Sequence, residues 1–347
     1  MQDSGLYIVS PLAPCNCVCR HCLLESTRRH SPIAYPRVKS IVERFLAWKA
    51  EKSIKNFAID FGIDYTAEFP EIYDHIRFRH QIGSEGACFL QFNGISFRTK
   101  EMLVKWLSGI KKAGVTTIGS TFFGVKEDHD RWVGRKGDYE FNILMNQCAA
   151  TLGLKRVETI FPTQGVLTRY SELFDVLDAI PGLEQRSISL WDYRGRGKLL
   201  EPERMTDLQK QNASEPLLKY FSRTPLKTEP EWMKFVQTNH DSIKAKRFLR
   251  LIVNETNIEG LERKSCDAIL DDLKNLVSRF NESVPSLAEL ASNNGDKDNQ
   301  RLYRLRDLQW KWTDEYFKSK PRSVSTDIYS DLQSGVYLNL FYLDLLL

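Results

Sequence analysis

Four cysteines stand within eight positions near the start of the chain, in the stretch CNCVCRHC at 15–22. Cys15, Cys19 and Cys22 have the spacing C-x3-C-x2-C. Iron–sulfur clusters are held by cysteine thiolates, so three thiols on one loop can bind three irons of a [4Fe–4S] cluster. The fourth iron would then have no protein ligand and would be open to a small molecule. The spacing therefore predicts a site where chemistry takes place at a cluster.

A zinc site is the alternative chemistry for the same loop. Structural zinc prefers a closed shell of four protein ligands, and Cys17 or His21 would have to supply the fourth. The usual zinc spacing joins one C-x2-C to a second, distant pair, and the sequence has no such pair. The cluster is therefore the favoured interpretation, and Cys17 is expected to be a spare thiol in the wall of the fold.

The other cysteines argue against a disulfide framework. The chain has 7 cysteines, an odd number, and the last three are Cys88, Cys148 and Cys266. A disulfide framework would spread its cysteines along the chain, so we expect a cytoplasmic protein with reduced thiols. The three isolated cysteines are expected to be buried small hydrophobic residues, and no second cluster is predicted.

Composition excludes several classes of protein. The 347 residues are 42% hydrophobic and 27% charged, as in an ordinary globular chain with a sizeable core. The formal net charge of +4 does not by itself indicate nucleic acid as a partner. Because no apolar run reaches about 18 residues, no membrane span is expected. The N-terminal stretch also lacks the pattern of a secretory signal.

Alternating strands and helices must position the cysteine loop. Apolar runs predict strands at 6–10, 56–61, 87–92, 115–123, 155–163 and 186–193. Amphipathic stripes predict helices at 36–52, 69–81, 99–114, 138–153 and 171–180. This rhythm implies an α/β fold with parallel strands, either a partial (β/α)6 TIM-like barrel or an open doubly wound sheet. Both place ligands at the C-terminal ends of the strands, where the cysteine loop lies.

The alternation of predicted strands and helices stops near residue 197. We therefore predict a barrel domain over residues 1–197 and a mostly helical C-terminal region over 198–347. Within that region, long helices are expected at 258–280 and 301–320. The second of these mixes aromatic and basic side chains, but its helical spacing favours a packed amphipathic helix over a nucleic-acid surface.

The cysteine loop follows the first strand of a β/α series. In this arrangement the sequence resembles the radical S-adenosylmethionine (SAM) superfamily. Cys15, Cys19 and Cys22 match the signature of that family, and His21 stands where the family often has an aromatic residue near the adenine. The resemblance implies a (β/α)6 partial barrel and SAM bound to the open iron. It also implies one-electron cleavage of SAM to methionine and a 5′-deoxyadenosyl radical, with an electron donor such as flavodoxin or ferredoxin.

The resemblance extends to the ends of the second and third strands. In the family, a Gly-Gly-Glu-Pro-like motif meets the SAM amino group, and Gly62 and Asp64 stand at that place, with Ile63 replacing one glycine. Asn93 matches the Thr-Asn-Gly that follows the third strand, which implies a hydrogen bond to SAM or substrate. An ordinary turn is the alternative interpretation of both segments.

The fourth and fifth strands supply the remaining candidates. Ser120 or Thr121 is implied to contact the SAM carboxylate or ribose. The block at 126–140 resembles the family in its His-Asp pair and later glycines, and its histidine and aspartate are expected to tie the loop. Arg156 on the fifth strand is a candidate partner for a carboxylate through its bidentate donors. A surface position is the alternative for Arg156.

The substrate is the part of the function that the sequence determines least. The block at 126–140 and the segment WDYRGRG at 191–197 are similar to parts of radical SAM enzymes that modify peptides. They favour a ribosomally made peptide that is cross-linked, epimerised or oxidised. A small-molecule biosynthetic intermediate is the rival substrate. A non-catalytic zinc-binding interaction protein is the alternative from another class.

Overall fold

The computed structural model describes residues 5–22, 32–64, 66–221, 225–239 and 248–318. Its strands are β1 (Gly5–Pro11), β2 (Ala58–Asp64), β3 (Phe89–Gln91), β4 (Thr117–Phe122), β5 (Lys155–Ile160), β6 (Leu183–Ile188), β7 (Lys227–Thr228), β8 (Phe248–Ile252) and β9 (Leu302–Tyr303). Its helices are α1 (Tyr35–Glu51), α2 (Ile72–Gln81), α3 (Lys100–Ala113), α4 (Lys126–Val133), α5 (Asp138–Thr151), α6 (Gln164–Asp178), α7 (Asp207–Gln211), α8 (Glu215–Leu218), α9 (Glu229–Asn239), α10 (Ile258–Arg263), α11 (Cys266–Ser283), α12 (Leu287–Asn294) and α13 (Leu305–Lys318). A 3-10 helix covers Gly195–Glu203. Within these ranges, no helix combines the length and the apolar character that crossing a bilayer requires.

Two parallel sheets form the centre of the fold. One has the strand order β2-β1-β8 and the other has the order β3-β4-β5-β6. Every neighbouring pair in both sheets is parallel, as crossover helices require. The predicted α/β class is therefore confirmed, with a partial (β/α)6 TIM-like barrel whose strands are divided between two hydrogen-bonded sheets and with helices in the C-terminal region.

Helix α3 shows how local residues set the rhythm. Thr99 caps its start by accepting a hydrogen bond from the Met102 amide at 3.4 Å. Gly114 ends it with a φ of 123°, a conformation that favours glycine. One apolar stripe between these caps is buried: Leu103, Leu107, Ile110 and Ala113. The Thr99 cap, the buried apolar stripe and the terminating Gly114 all lie where the sequence predicted them, and the predicted helix at 99–114 is confirmed.

The sheets have an apolar side and a more polar side. Leu6, Ile8, Leu90 and Ile118 belong to one core cluster with side chains of α1, α3 and α5. Since successive strand residues point to opposite sides, the residues between them face away from these helices. We call that side the inner face. Its members include Tyr7, Gly62, Gln91, Thr121, Thr159 and Ser187.

The C-terminal region contributes a strand that the sequence did not predict. β8 pairs with β1, and Arg250 lies opposite Tyr7 in the register. Leu249 and Leu251 join the same core cluster as the first strand. The helix expected at 258–280 is found as two helices, α10 and α11. These contacts cross residue 197, and the division of the chain at that residue stays a prediction.

Candidate functional site

The cysteine loop, residues 12–22, follows β1 and is fixed by backbone hydrogen bonds to three other segments. The Asn16 amide donates to the Gly94 carbonyl at 2.9 Å, just after β3. The amides of Val18 and Arg20 donate to the carbonyls of Val133 and Trp132 at 2.8 and 2.9 Å. On the far side of the loop, the Cys22 carbonyl accepts from the Arg196 amide at 3.1 Å. The loop is therefore held at the ends of β3 and α4 and at the segment after β6.

Cys15, Cys19 and Cys22 form no disulfide bond and are partly exposed. The hydrogen bond with Cys17, together with burial, raises the pKa of the Cys15 thiol. Its ionisation therefore needs a nearby cation, which the irons of a cluster provide. In the part of the chain that the structure describes, no three His, Cys, Asp or Glu side chains surround a single metal-ion position. The thiols of a [4Fe–4S] site bind different irons, and this donor set fits such a group.

Gly94 leaves room for the sulfur of Cys15. Its φ is 81°, and a Cβ added there would lie 2.2 Å from Cys15 Sγ. No side chain can occupy that space without moving the thiol. The glycine of the Asn-Gly pair after β3 is therefore part of the cysteine site, which explains the pair better than a turn alone.

Alanine at Gly94 is expected to lower the iron content of the reconstituted protein sharply, because the new methyl group displaces Cys15. The measurement is iron and sulfide per chain after anaerobic gel filtration. Gly83→Ala is the matched control, since Gly83 has a similar φ of 68° but open space where a Cβ would lie. Equal iron content in the two variants would show that Gly94 serves only the backbone turn.

His21 lies in an aromatic wall beside the loop. Its ring centre is 4.8 Å from that of Phe123 and 4.9 Å from that of Phe161. The Trp132 indole donates a hydrogen bond to His21 Nδ1 at 2.8 Å. Burial lowers the pKa of His21 to about 3, so the ring is neutral at pH 7. His21 therefore provides a flat, uncharged surface next to Cys22, and its predicted place near the adenine stays a prediction.

The structure brings Asn93 and Thr121 together at the strand ends. Asn93 Oδ1 accepts from the Thr121 amide at 3.0 Å, and Gln91 Nε2 donates to Thr121 Oγ1 at 3.1 Å. Both pairs lie on the inner face, next to the Gly94 that contacts the cysteine loop. Asn93 thus joins β3 to β4, and its neighbours offer polar atoms on the inner face.

Gly62 also lies on the inner face. A Cβ there would lie 1.8 Å from the Tyr7 hydroxyl oxygen. Because Gly62 has no side chain, the Tyr7 side chain of the neighbouring strand β1 can lie over this position. Asp64 ends β2 opposite Pro11, at the start of the cysteine loop. Its side chain lies outside the described part of the structure.

Ser120 and Arg156 lie on the other side of the sheet. Ser120 is buried and hydrogen-bonds Asn146 of α5 at 3.3 Å. Arg156 is fully buried near the start of β5, where it pairs with Glu158 at 2.6 Å and donates to the Pro181 carbonyl at 2.9 Å. The structure therefore does not bring these two residues together with the others proposed to contact SAM.

Arg194, in the segment after β6, pairs with Asp192 and does not point freely at a ligand. Burial favours the neutral form of Asp192, but Arg194, Arg304 and Arg306 hold the pKa of its carboxyl well below the usual range. Arg304 reaches Asp192 at 2.5 Å and Arg306 reaches it at 3.1 Å. The segment thus links the cysteine loop to the start of α13.

Sequence reasoning missed the role of Asp138. This carboxylate is 2% exposed and lies 3.1 Å from His129 Nε2 and 3.2 Å from Arg135. The neighbouring Asp130 accepts from the amides of Gly137 and Tyr139 at 2.6 and 2.9 Å. These bonds agree with a structural role for the His-Asp pair. The signal that could have found Asp138 is its position at the start of a predicted helix, directly after a glycine.

Comparisons with known proteins give matches only among solved structures. No protein-family model matches the chain, and no curated protein matches it significantly. SuiB of Streptococcus suis bound to S-adenosylmethionine matches at 11% identity and a TM-score of 0.40, over 73% of this chain and 51% of that one. Coproporphyrinogen III oxidase HemN of Escherichia coli, described as a radical SAM enzyme, matches at 10% identity and a TM-score of 0.40, over 68% and 53%.

SuiB bound to the precursor peptide SuiA matches at 12% identity and a TM-score of 0.41, over 97% of this chain and 70% of that one. The chain spans about half the length of SuiB and HemN in the first two matches. The solved structures that resemble the chain include proteins described as radical SAM enzymes. At these identities the likeness concerns the fold.

Proposed function

We propose that the chain is a radical SAM enzyme in which Cys15, Cys19 and Cys22 hold a [4Fe–4S] cluster and S-adenosylmethionine binds beside them. The observation that carries this proposal is the C-x3-C-x2-C loop, fixed where the parallel strands end and fitted against Gly94. When bound, the two groups supply a 5′-deoxyadenosyl radical that removes a hydrogen atom from the substrate.

The protein's own residues position the groups and shield the reaction. The backbone bonds of the cysteine loop set the place of the three thiols. His21, Phe123, Phe161 and Trp132 form an apolar wall that keeps water from the site. On the inner face, Gln91 and Thr121 offer polar atoms for hydrogen bonds to SAM or substrate. These placements support roles for Asn93 and Thr121 over one for Ser120.

For the substrate we propose a ribosomally made peptide, modified by cross-linking, epimerisation or oxidation. This rests on the similarity of the segments at 126–140 and 191–197 to parts of peptide-modifying radical SAM enzymes. A small-molecule biosynthetic intermediate is the alternative. The electron is proposed to come from a flavodoxin or a ferredoxin.

The test is the cleavage of SAM by the purified protein. The chain is reconstituted with iron and sulfide under anaerobic conditions, SAM and dithionite are added, and 5′-deoxyadenosine is measured by mass spectrometry. We expect about four irons per chain, absorbance near 400 nm and formation of 5′-deoxyadenosine. Stoichiometric zinc without iron, and no 5′-deoxyadenosine, would sink the proposal and favour the zinc-binding interaction protein.

A further inference from the structure

Cys17 is the loop cysteine that the proposed cluster does not use. It is 6% exposed and is the buried one among the four cysteines of the loop. Its side chain enters an apolar cluster made by residues from four segments: Phe123, Trp132, Val133, Trp191 and Leu200. Cysteine is among the most often buried residue types, so burial alone gives Cys17 no role and its polar contacts must decide.

The Cys17 thiol has a specific partner inside the protein. Its Sγ donates to Asp138 Oδ1 at 3.7 Å, in a pair that is 121 residues apart in sequence. A carboxylate oxygen accepts hydrogen bonds, so the hydrogen of this thiol is directed to α5. The backbone amide of Cys17 in turn donates to Cys15 Sγ at 3.4 Å. Cys17 therefore stands between the candidate ligands Cys15 and Cys19 in the sequence and joins this part of the loop to the Asp138 carboxylate.

Asp138 is itself held from several directions. His129 Nε2 lies 3.1 Å from Oδ2, Arg135 lies 3.2 Å from Oδ1, and the Asn142 amide donates to Oδ2 at 3.3 Å. His129 Nδ1 in turn accepts from the Phe123 amide at 3.4 Å, directly after β4. A movement of the loop at Cys17 would therefore strain the joint between α4, α5 and the end of β4.

We propose that Cys17 is a positioning residue that anchors the cysteine loop through Asp138, and that it is not a fourth ligand. The inference rests on the proposed function, because the loop is positioned for the cluster. The anchor presets the places of Cys15 and Cys19 before iron arrives. Residues that orient metal ligands change metal affinity by about 10- to 100-fold when they are replaced.

The first measurement is the loss of the cluster from Cys17→Ala and Cys17→Ser. The two variants are reconstituted anaerobically and mixed with an iron chelator, and the absorbance near 400 nm is followed. Cys17→Ala is expected to bind as much iron as the unchanged protein but to lose it about 10-fold faster. Cys17→Ser keeps a donor toward Asp138 and is expected to lose iron more slowly than Cys17→Ala. Cys148→Ala, which removes another buried thiol from α5, is the matched control and should behave like the unchanged protein.

Two outcomes of this measurement would overturn the proposal. A fall in bound iron and an altered electron paramagnetic resonance spectrum in Cys17→Ala would identify Cys17 as a ligand. Equal rates of cluster loss in Cys17→Ala and Cys148→Ala would remove the anchoring role.

The second measurement does not depend on the cluster. Metal-free protein is treated with a maleimide, and each labelled cysteine is identified by mass spectrometry over time. Cys17 is expected to react more slowly than Cys15 and Cys19, and Asp138→Asn is expected to speed its labelling. Equal labelling of the three thiols in the unchanged protein would refute the anchor even if no iron binds. A failure of the proposed function is thus distinguishable from a failure of this inference.

Discussion

Replacing Cys19 with alanine is expected to abolish the iron–sulfur cluster and the formation of 5′-deoxyadenosine. Cys19 supplies the middle thiol of the proposed triad, and its backbone carbonyl accepts from the Cys22 amide at 3.2 Å, so the turn between the two ligands is already formed. Removing one of three protein ligands leaves a second iron without protein support. We expect a loss of more than about 100-fold in iron retention, beyond the effect of residues that only orient ligands.

The measurement is iron content together with 5′-deoxyadenosine formed per chain under anaerobic reducing conditions. Cys88→Ser is the matched control, because Cys88 lies just before β3, away from the loop, and is exposed; the expectation that it would be buried was wrong, since it precedes the strand instead of lying within it. Cys19→Ala that keeps a full cluster and cleaves SAM like Cys88→Ser would contradict the assignment of the triad. The alternative ligand set would then have to include Cys17 or His21.

Most strands and helices of the β/α series could be predicted from the sequence, because the residues that determine them are close together in the chain. The Thr99 cap, the apolar stripe of α3 and the stop at Gly114 lie within sixteen residues of one another. β8 was missed for the opposite reason. Its five residues depend on pairing with β1, more than 230 positions earlier in the chain, and nothing within the segment FLRLI indicates which strand it pairs with.

The site was predictable where spacing alone determines the chemistry, as in the cysteine loop. It was not predictable where the answer depends on which side of a strand a residue faces. Ser120 and Thr121 are neighbours, so the strand sends one to α5 and the other to the inner face. A shift of one residue in register would exchange them. β4 has the sequence TIGSTF and carries small polar residues on both faces, so its polarity pattern does not tell which residue faces the helices.

The ion pair of Arg156 with Glu158 could have been predicted from the sequence, but it was not. Residues two apart in a strand share a face, so the sequence Arg-Val-Glu at 156–158 places opposite charges side by side. The structure confirms the contact at 2.6 Å and adds Arg186 of β6, whose Nε donates to Glu158 Oε2 at 2.7 Å. All three side chains are fully buried. The arrangement favours a structural network over a SAM-binding arginine.

Replacing Glu158 with glutamine is therefore expected to lower the free energy of unfolding by about 3–5 kcal/mol, the usual cost of breaking a buried ion pair by removing one partner. The glutamine would leave two buried guanidinium groups without their shared carboxylate. Burial already lowers the pKa of Arg156, which shows how costly its charge is at this position. The measurement is urea unfolding of the metal-free protein, followed by circular dichroism.

Glu184→Gln is the matched control, because Glu184 pairs with Lys155 across the same two strands at 2.6 Å but is exposed. Exposed pairs contribute little, so this variant should unfold close to the unchanged protein. The folded fraction of Glu158→Gln should still bind SAM, since the network lies on the helix side of the sheet. Normal stability combined with weakened SAM binding in Glu158→Gln would contradict this interpretation. Arg156 would then be a candidate for SAM binding again, because a network that only holds β5 to β6 should not change ligand affinity on the opposite face.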